Sequence, residues 1–263
     1  GRDNSDIAVA DFNKDGRPDI VVAGGNLQSI GTVKLLLGTA MGDFTLSPRD
    51  LNAGQTPSSV LATDLNADTN LDLVVGNYNS NNVSISLGDG KGNFATAINI
   101  PVGLSPSSIV SGDFNNDGKP DLAVTNYGGM TLSILIGNGM GGFSVSSVNV
   151  AKAPISMTVA DFNRDNIPDL AVICRDESTT RNLYILLGNG DGSFRVPLRL
   201  ATENYPLSIA TGDFTGDGKL DLALTEVLFL TNFGATDHVS IYSGDGTGNF
   251  VRSGTIPIPV AAY

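Results

Sequence analysis

One acidic nine-residue segment occurs five times in this 263-residue chain. The copies are DFNKDGRPD (Asp11–Asp19), DLNADTNLD (Asp64–Asp72), DFNNDGKPD (Asp113–Asp121), DFNRDNIPD (Asp161–Asp169) and DFTGDGKLD (Asp213–Asp221). Their starts lie 53, 49, 48 and 52 residues apart. A second landmark follows each copy, a glycine-rich stretch ending in Phe44, Phe94, Phe143, Phe194 or Phe250. From each phenylalanine to the next acidic segment takes 20, 19, 18 and 19 residues; from segment to phenylalanine takes 33, 30, 30, 33 and 37. Length variation is therefore confined to one part of the unit. A period of about 50 residues makes each copy one supersecondary unit, which buries its apolar face only against a neighbour.

The stretches between landmarks are short, β-branched and often alternating. In the third unit they are Ser107–Gly112, Leu122–Asn126, Thr131–Ile136 and Phe143–Val150. Turn residues separate them, and no segment sustains a helical period. Four strands in about 50 residues is the pattern of a propeller blade. The predicted fold is all-β, a β-propeller of five four-stranded antiparallel blades, with a partial six- or seven-bladed propeller as the alternative. Residues 1–263 read as a single domain with units at approximately 5–53, 58–102, 107–151, 155–202 and 207–261. With strands named A to D from the inside, the A strands carry small residues (Ile7–Ala10, Val60–Thr63, Thr158–Ala160, Ile209–Gly212), which suits a crowded central channel. Joining the chain ends would place Asp11 24 residues after Phe250, near the internal 18 to 20, so the five blades are expected to close into a ring.

The formal charge of −12 rests on 24 Asp and only 3 Glu. Asp favours turns and caps where Glu favours helices, which places the acids in loops. An acidic surface without a basic stripe lacks the Lys and Arg that phosphate contacts need, so no nucleic-acid partner is expected. No stretch reaches the roughly 18 apolar residues of a membrane helix, so direct membrane insertion is not expected either. The single cysteine, Cys174, ends the apolar run Leu170–Cys174 and reads as a buried structural thiol.

Each acidic segment presents oxygen side chains at positions 1, 3, 5 and 9, and position 7 can offer its backbone carbonyl. The candidate sets are Asp11, Asn13, Asp15, Arg17, Asp19; Asp64, Asn66, Asp68, Asn70, Asp72; Asp113, Asn115, Asp117, Lys119, Asp121; Asp161, Asn163, Asp165, Ile167, Asp169; and Asp213, Thr215, Asp217, Lys219, Asp221. Calcium is a hard cation that takes 6–8 oxygens, and alternate residues of a tight loop can aim theirs at one centre. Glycine at position 6 permits the left-handed backbone that such winding requires. An EF-hand is excluded: position 12 is Val22, Val75, Val124, Val172 or Leu224 rather than glutamate. Carboxylates crowded within nine residues repel unless a cation joins them. Up to five Ca²⁺ are expected, one per unit, in a structural role.

These loops, with the Gly-Asn-Gly-x-Gly-x-Phe turn, resemble the FG-GAP or VCBS-type repeats of integrin α-subunit propellers and many bacterial surface proteins. The likeness covers nearly the whole chain. It implies calcium in the loops, a propeller fold, an extracellular, secreted or cell-surface setting, and adhesion or ligand recognition. Thr69 and Asn166 depart from the position 6 glycine, and Thr215 from the position 3 asparagine. β-Branched Thr tolerates the left-handed region poorly, so the loop at Asp64 ranks last.

In a four-stranded blade the A-to-B and C-to-D turns share one face, and the B-to-C and D-to-A turns share the other. Calcium then occupies the first face. The variable B-to-C segments, at residues 24–31, 77–82, 126–130, 175–181 and 228–237, gather on the second. Loops on a rigid scaffold are where recognition resides. Tyr78, Tyr127, Arg175, Arg181 and His238 are the candidate ligand residues, although a plain surface histidine is the simpler reading of His238. The expected function is a calcium-stabilised, lectin-like recognition or adhesion module for a glycan or protein ligand, within a longer multidomain chain. One His and three Glu are a thin supply for catalysis, so the chain is not expected to be an enzyme. A propeller of a polysaccharide-degrading enzyme and a non-binding scaffold are the alternatives. Fold alone does not choose among them.

Overall fold

A computed structural model describes residues 5–24, 31–49, 51, 53–175, 182–202, 204–227 and 237–258. Among them, twenty strands form five four-stranded antiparallel sheets. Blade one holds β1 (Ser5–Ala10), β2 (Asp19–Gly24), β3 (Thr32–Gly38) and β4 (Phe44–Leu46). Blade two holds β5 (Pro57–Thr63), β6 (Asp72–Asn77), β7 (Asn82–Ser86) and β8 (Ile98–Pro101). Blade three holds β9 (Pro106–Gly112), β10 (Asp121–Asn126), β11 (Thr131–Gly137) and β12 (Phe143–Asn149). Blade four holds β13 (Pro154–Ala160), β14 (Asp169–Cys174), β15 (Asn182–Leu186) and β16 (Leu198–Ala201). Blade five holds β17 (Tyr205–Gly212), β18 (Asp221–Val227), β19 (Asp237–Gly244) and β20 (Phe250–Ile258). Each sheet pairs its strands in chain order. The strands read from the third unit agree with β9 to β12 to within one residue at each end.

One side chain locks each blade. The position 9 aspartate opens the second strand and is wholly buried in all five blades (Asp19, Asp72, Asp121, Asp169, Asp221). One of its oxygens accepts the N–H of the position 2 residue, at 2.9 Å for Phe12, Phe114, Phe162 and Phe214 and 2.8 Å for Leu65. The other accepts the N–H of a glycine just beyond or at the end of the third strand: Gly38, Gly88, Gly137, Gly188 or Gly244, at 2.7–3.0 Å. That glycine is required by close approach. A methyl group at Gly137 would sit 2.3 Å from the Pro120 carbonyl oxygen, and the other four positions are equally tight.

The core lies between blades. Four apolar clusters each join two successive blades, one per junction. At three junctions the loop phenylalanine of one blade meets the turn phenylalanine of the next edge-on. These pairs are Phe12–Phe94 (5.8 Å), Phe114–Phe194 (5.6 Å) and Phe162–Phe250 (5.4 Å). At the remaining one Leu65 and Phe143 share the cluster. Such edge-to-face pairs add about 1 kcal/mol beyond the area they bury.

The expected closure into a five-bladed ring is corrected. Innermost strands pack β1 on β5, β5 on β9, β9 on β13 and β13 on β17, and among the described residues no comparable packing joins β17 to β1. The second strands record the same break. β6, β10 and β14 are buried at every residue, whereas β2 alternates buried and half-buried, as does β18 from Leu222 onward. Each terminal blade thus has one covered face and one open face. A residue count along the chain carries no information about the angle between blades, which the junction side chains set.

Replacing Asp121 by Ala strands the buried N–H groups of Phe114 and Gly137. In calcium-free buffer, urea titration of Asp121→Ala should show a loss of about 3 kcal/mol, with a comparable loss for the equivalent change at Asp19.

Candidate metal centre and ligand face

Each acidic loop winds through two left-handed residues. At position 6 these are Gly16, Thr69, Gly118, Asn166 and Gly218, with φ between 64° and 81°. Position 4 is also left-handed in every loop, at Lys14, Ala67, Asn116, Arg164 and Gly216, which the sequence reading missed. Asparagine and glycine at two of those positions were the available signal. Loop two, with Ala67 and Thr69, has the least suitable residues at both places.

This winding brings the oxygens together. The Asp15 N–H lies 3.1 Å from both Asp11 Oδ1 and Asn13 Oδ1, so the oxygens of positions 1 and 3 meet at one point. The same shared N–H recurs at Asp68, Asp117 and Asp165. In loop five Asp217 N–H reaches Asp213. Position 5 lies beside position 3: Asn13 Nδ2 is 3.1 Å from Asp15 Oδ2, and Asn163 Nδ2 is 2.8 Å from Asp165 Oδ2. The side chain at position 7 pairs with the position 5 carboxylate in three loops, Arg17–Asp15 at 3.0 Å, Lys119–Asp117 at 3.2 Å and Lys219–Asp217 at 2.8 Å.

Among the described residues no three Asp, Glu, His or Cys side chains gather closely enough to hold a metal by themselves. Position 9 points inward to the glycine lock, and the converging set is mixed: carboxylate at 1 and 5, amide or hydroxyl at 3. All of these donors are hard oxygens, the chemistry that calcium takes. Burial pushes the carboxyls of Asp72, Asp121 and Asp169 upward, Asp169 to about 6, and neighbouring loop carboxylates add to the rise. Hydrogen bonding lowers Asp68, chiefly from the Asn70 N–H, and Asp217, chiefly from Lys219.

The glycine-rich turns lie on the same face as these loops. Gly92 donates its N–H to the Phe12 carbonyl of the previous blade, as Gly192 does to Phe114 and Gly248 to Phe162. On the opposite face, Tyr78, Tyr127 and Arg175 follow the second strands of blades two, three and four. Each donates its N–H to the residue before the strand-opening proline, Thr56, Ser105 or Ala153. All three acceptor residues are left-handed, with φ of 55–56°. The Tyr78 and Tyr127 rings lie 6.0 Å apart, both half-buried. The structure thus brings three of the five candidate ligand residues onto equivalent positions of one arc, while Arg181 lies outside the described residues. A groove of about 420 Å³ beside the arc is lined by Pro101–Gly103, Thr131, Ser133 and Val145–Ser147.

His238 is corrected from a surface residue to a buried one. Its Nε2 lies 3.0 Å from Glu226 Oε2 and 3.3 Å from Asn204 Nδ2, and Ser240 Oγ donates to the same carboxylate oxygen at 3.0 Å. Glu226 is buried, and among the described residues its Oε1 has no partner. Sequence reasoning missed this cluster because its bonded members are 12, 14 and 34 residues apart and meet only in the folded blade. Cys174 is buried, and burial pushes its thiol up to about 12, as a structural role requires.

FG-GAP-like repeats match residues 11–75, 64–124, 113–172 and 168–224. No curated protein sequence matches the chain significantly. Solved structures similar to it include a Bacteroides uniformis protein provisionally named a 6-phosphogluconolactonase, with 15% identity and a TM-score of 0.70 over 97% of this chain and 72% of that one. They also include the periplasmic gluconolactonase of Pseudomonas aeruginosa (16%, 0.65, 94% and 69%) and the V. cholerae biofilm matrix protein Bap1 (15%, 0.54, 94% and 38%). At these identities the likeness concerns the fold. The expectation that the chain is not an enzyme is corrected by these relatives: proteins named as lactonases share the fold, so a thin supply of His and Glu does not decide the question. Among the described residues no helix is long and apolar enough to cross a membrane.

Thr69→Gly should stabilise the protein by about 0.5–1 kcal/mol, since relief of a left-handed β-branched residue outweighs the added chain entropy; chemical denaturation measures it. The raised carboxyls also set a pH dependence. Asp169 holds its proton to about 6 when folded, against an ordinary value of 3.8. The folded chain therefore binds more protons within that window, and stability falls as pH rises through it. Calcium-free melts at pH 4.5 and 6.5 should show that fall, and Asp169→Asn should reduce it.

Proposed function

The chain belongs to the FG-GAP-like repeat family, and we propose that it is a calcium-stabilised recognition module working outside the cytoplasm. The observation that carries the calcium reading is the repeated convergence of position 1 and position 3 oxygens on one N–H. A cation there would be held by Asp11, Asn13 and Asp15 and their counterparts, with the position 7 carbonyl. It would replace the position 7 side chain as the countercharge of position 5. Five such ions would bring the formal charge from −12 to about −2. Their role is to hold each A-to-B loop closed over the aspartate–glycine lock beneath it.

Ligand recognition belongs to the opposite face. Tyr78 and Tyr127 offer two adjacent rings, and Arg175 adds a cation at the next blade. Adjacent aromatic faces stack on sugar rings, and Arg supplies directed donors. A glycan or an acidic protein segment fits that chemistry. The periplasmic and biofilm-matrix relatives support the extracytoplasmic setting.

A second reading, a hydrolase, is favoured by the buried Glu226–His238 pair, in which the carboxylate can orient the imidazole as a general base. Hydrolysis of a gluconolactone by the protein, lost in Glu226→Gln, would establish it. No hydrolysis would leave the pair a structural device of blade five.

Ions that bind only the folded chain raise its stability by mass action. Excess Ca²⁺ should raise Tm over EDTA-treated protein, and elemental analysis should find bound calcium that falls by one equivalent in Asp113→Ala. Coincident melts with no metal bound would sink the calcium reading. On a glycan array, Tyr78→Ala with Tyr127→Ala should abolish binding while leaving the calcium-dependent melt unchanged.

A further inference from the structure

One polar corner recurs on the ligand face of blades two to five, and in blade three it is left open. The corner pairs the end of the second strand with the start of the third: Asn77 with Asn82, Asn126 with Thr131, Cys174 with Asn182 and Glu226 with His238. Two residues along the third strand from its partner stand Ser84, Ser133, Tyr184 and Ser240. In blade two Ser84 Oγ accepts from Asn77 Nδ2 at 2.8 Å and donates its own proton to Asn99 Oδ1, on the fourth strand, at 2.7 Å. In blade five Ser240 Oγ donates to Glu226 Oε2. In blade four Tyr184 and Arg199 hold the paired places, and Arg199 Nε donates to Asn182 Oδ1. Blade three differs. Ser133 is 3% exposed, and its Oγ accepts twice, from Asn126 Nδ2 at 3.0 Å and from Gly103 N–H at 3.1 Å. Opposite it on the fourth strand stands Ser147, where blade two has Asn99. Among the described residues nothing accepts the Ser133 proton. Asn126 Oδ1 has no partner there either, whereas Asn77 Oδ1 accepts the Gly54 N–H at 2.9 Å.

We propose that this open corner is a sugar subsite, in which the groove between blades two and three holds one uncharged residue of a glycan. The assignment rests on the glycan reading above and names the unit recognised. The groove of about 420 Å³ lies where the acceptor is missing, and Thr131, Ser133 and Ser147 line it. Small-ligand sites begin at about 300 Å³. A hydroxyl whose lone pairs are both engaged is left with its proton to donate, so Ser133 calls for an acceptor oxygen on the ligand. Thr131 and Ser147 add hydroxyls beside it. Pro101, Val102 and Val145 supply apolar wall. Hydroxyls on one side and an apolar wall on the other match the hydroxyl edge and the C–H face of a sugar ring. No charged side chain lines the groove, and the chain carries a formal charge of −12. Nothing there would balance a carboxylate or sulfate on the ligand, so the unit is neutral. A ligand lacking an oxygen at that place would leave the buried Ser133 proton unmatched, which is the source of selectivity.

The test gives blade three the acceptor that blade two has. In Ser147→Asn the introduced amide oxygen should take the Ser133 proton, as Asn99 takes that of Ser84, and the larger side chain should fill the groove. Methyl glucoside, methyl galactoside and methyl mannoside are titrated into isotope-labelled protein. At least one should shift the amide signals of Gly103, Ser133 and Ser147, and methyl glucuronide should not. Ser147→Asn and Val145→Asp, both at exposed positions, should weaken that binding about tenfold or more while leaving Tm within about 2 °C. Ser147→Ala, which keeps the Ser133 proton free, should bind within about threefold of the unaltered chain. No shift at these amides, a shift with the glucuronide alone, or binding unchanged in both Ser147→Asn and Val145→Asp overturns the assignment. Glycan-array binding that survives both substitutions and is lost only in Tyr78→Ala with Tyr127→Ala overturns it and leaves the recognition reading standing. No glycan bound in either experiment removes both.

Discussion

The two hydrogen bonds of each buried position 9 aspartate organise the whole molecule. A carboxylate taken out of water is costly unless its oxygens are satisfied. Here one oxygen holds the start of the acidic loop, and the other holds the glycine beyond the third strand. The bond pair ties three strands of a blade at one corner. It also fixes the direction in which the loop phenylalanine leaves the sheet, and so whether that ring reaches the neighbouring blade. The glycine is bound into the same device, because the carbonyl of the residue just before the second strand, Pro120 in blade three, leaves no room for a methyl group.

From that corner the two faces acquire different chemistry. On the loop side, carboxylates and amides crowd within nine residues, and their backbone N–H groups are already turned inward to serve them. The oxygens of positions 1 and 3 gather there on one N–H. On the other side, proline opens the first strand of blades two to four, and the preceding residue is left-handed in all three. That repeated geometry aligns Tyr78, Tyr127 and Arg175. One scaffold thus separates an oxygen-rich face from a face free to vary, which matches the confinement of length variation to the B-to-C segments.

Blade-to-blade cohesion is a nearest-neighbour property, as in other repeat folds. Four junctions bury the middle three blades on both sides, whereas blades one and five are buried on one side each. The apolar residues left over are the same residue types that do the packing elsewhere, at the same register. Their exposure is therefore the remainder of a repeated junction rather than scattered surface apolarity of the ordinary kind.

The sequence alone determined the repeat, the four strands of each blade, the left-handed position 6 and the oxygen-rich loops. These are local: a strand needs alternation, a turn needs glycine or asparagine, and both recur five times in register. The equivalence of Tyr78 and Tyr127 was legible for the same reason. The position 9 lock on a glycine about 16–23 residues away was present as a repeated pair of letters, but only folding shows that they touch. Thr69 holds the left-handed place that its type alone would disfavour, because the loop's carboxylates over-determine the backbone there. The burial of His238 against Glu226 arises from strand register, which places β18 beside β19. Closure was decided only in three dimensions. It depends on the angle between successive blades, and that angle comes from side chains packed across junctions rather than from the number of residues between them.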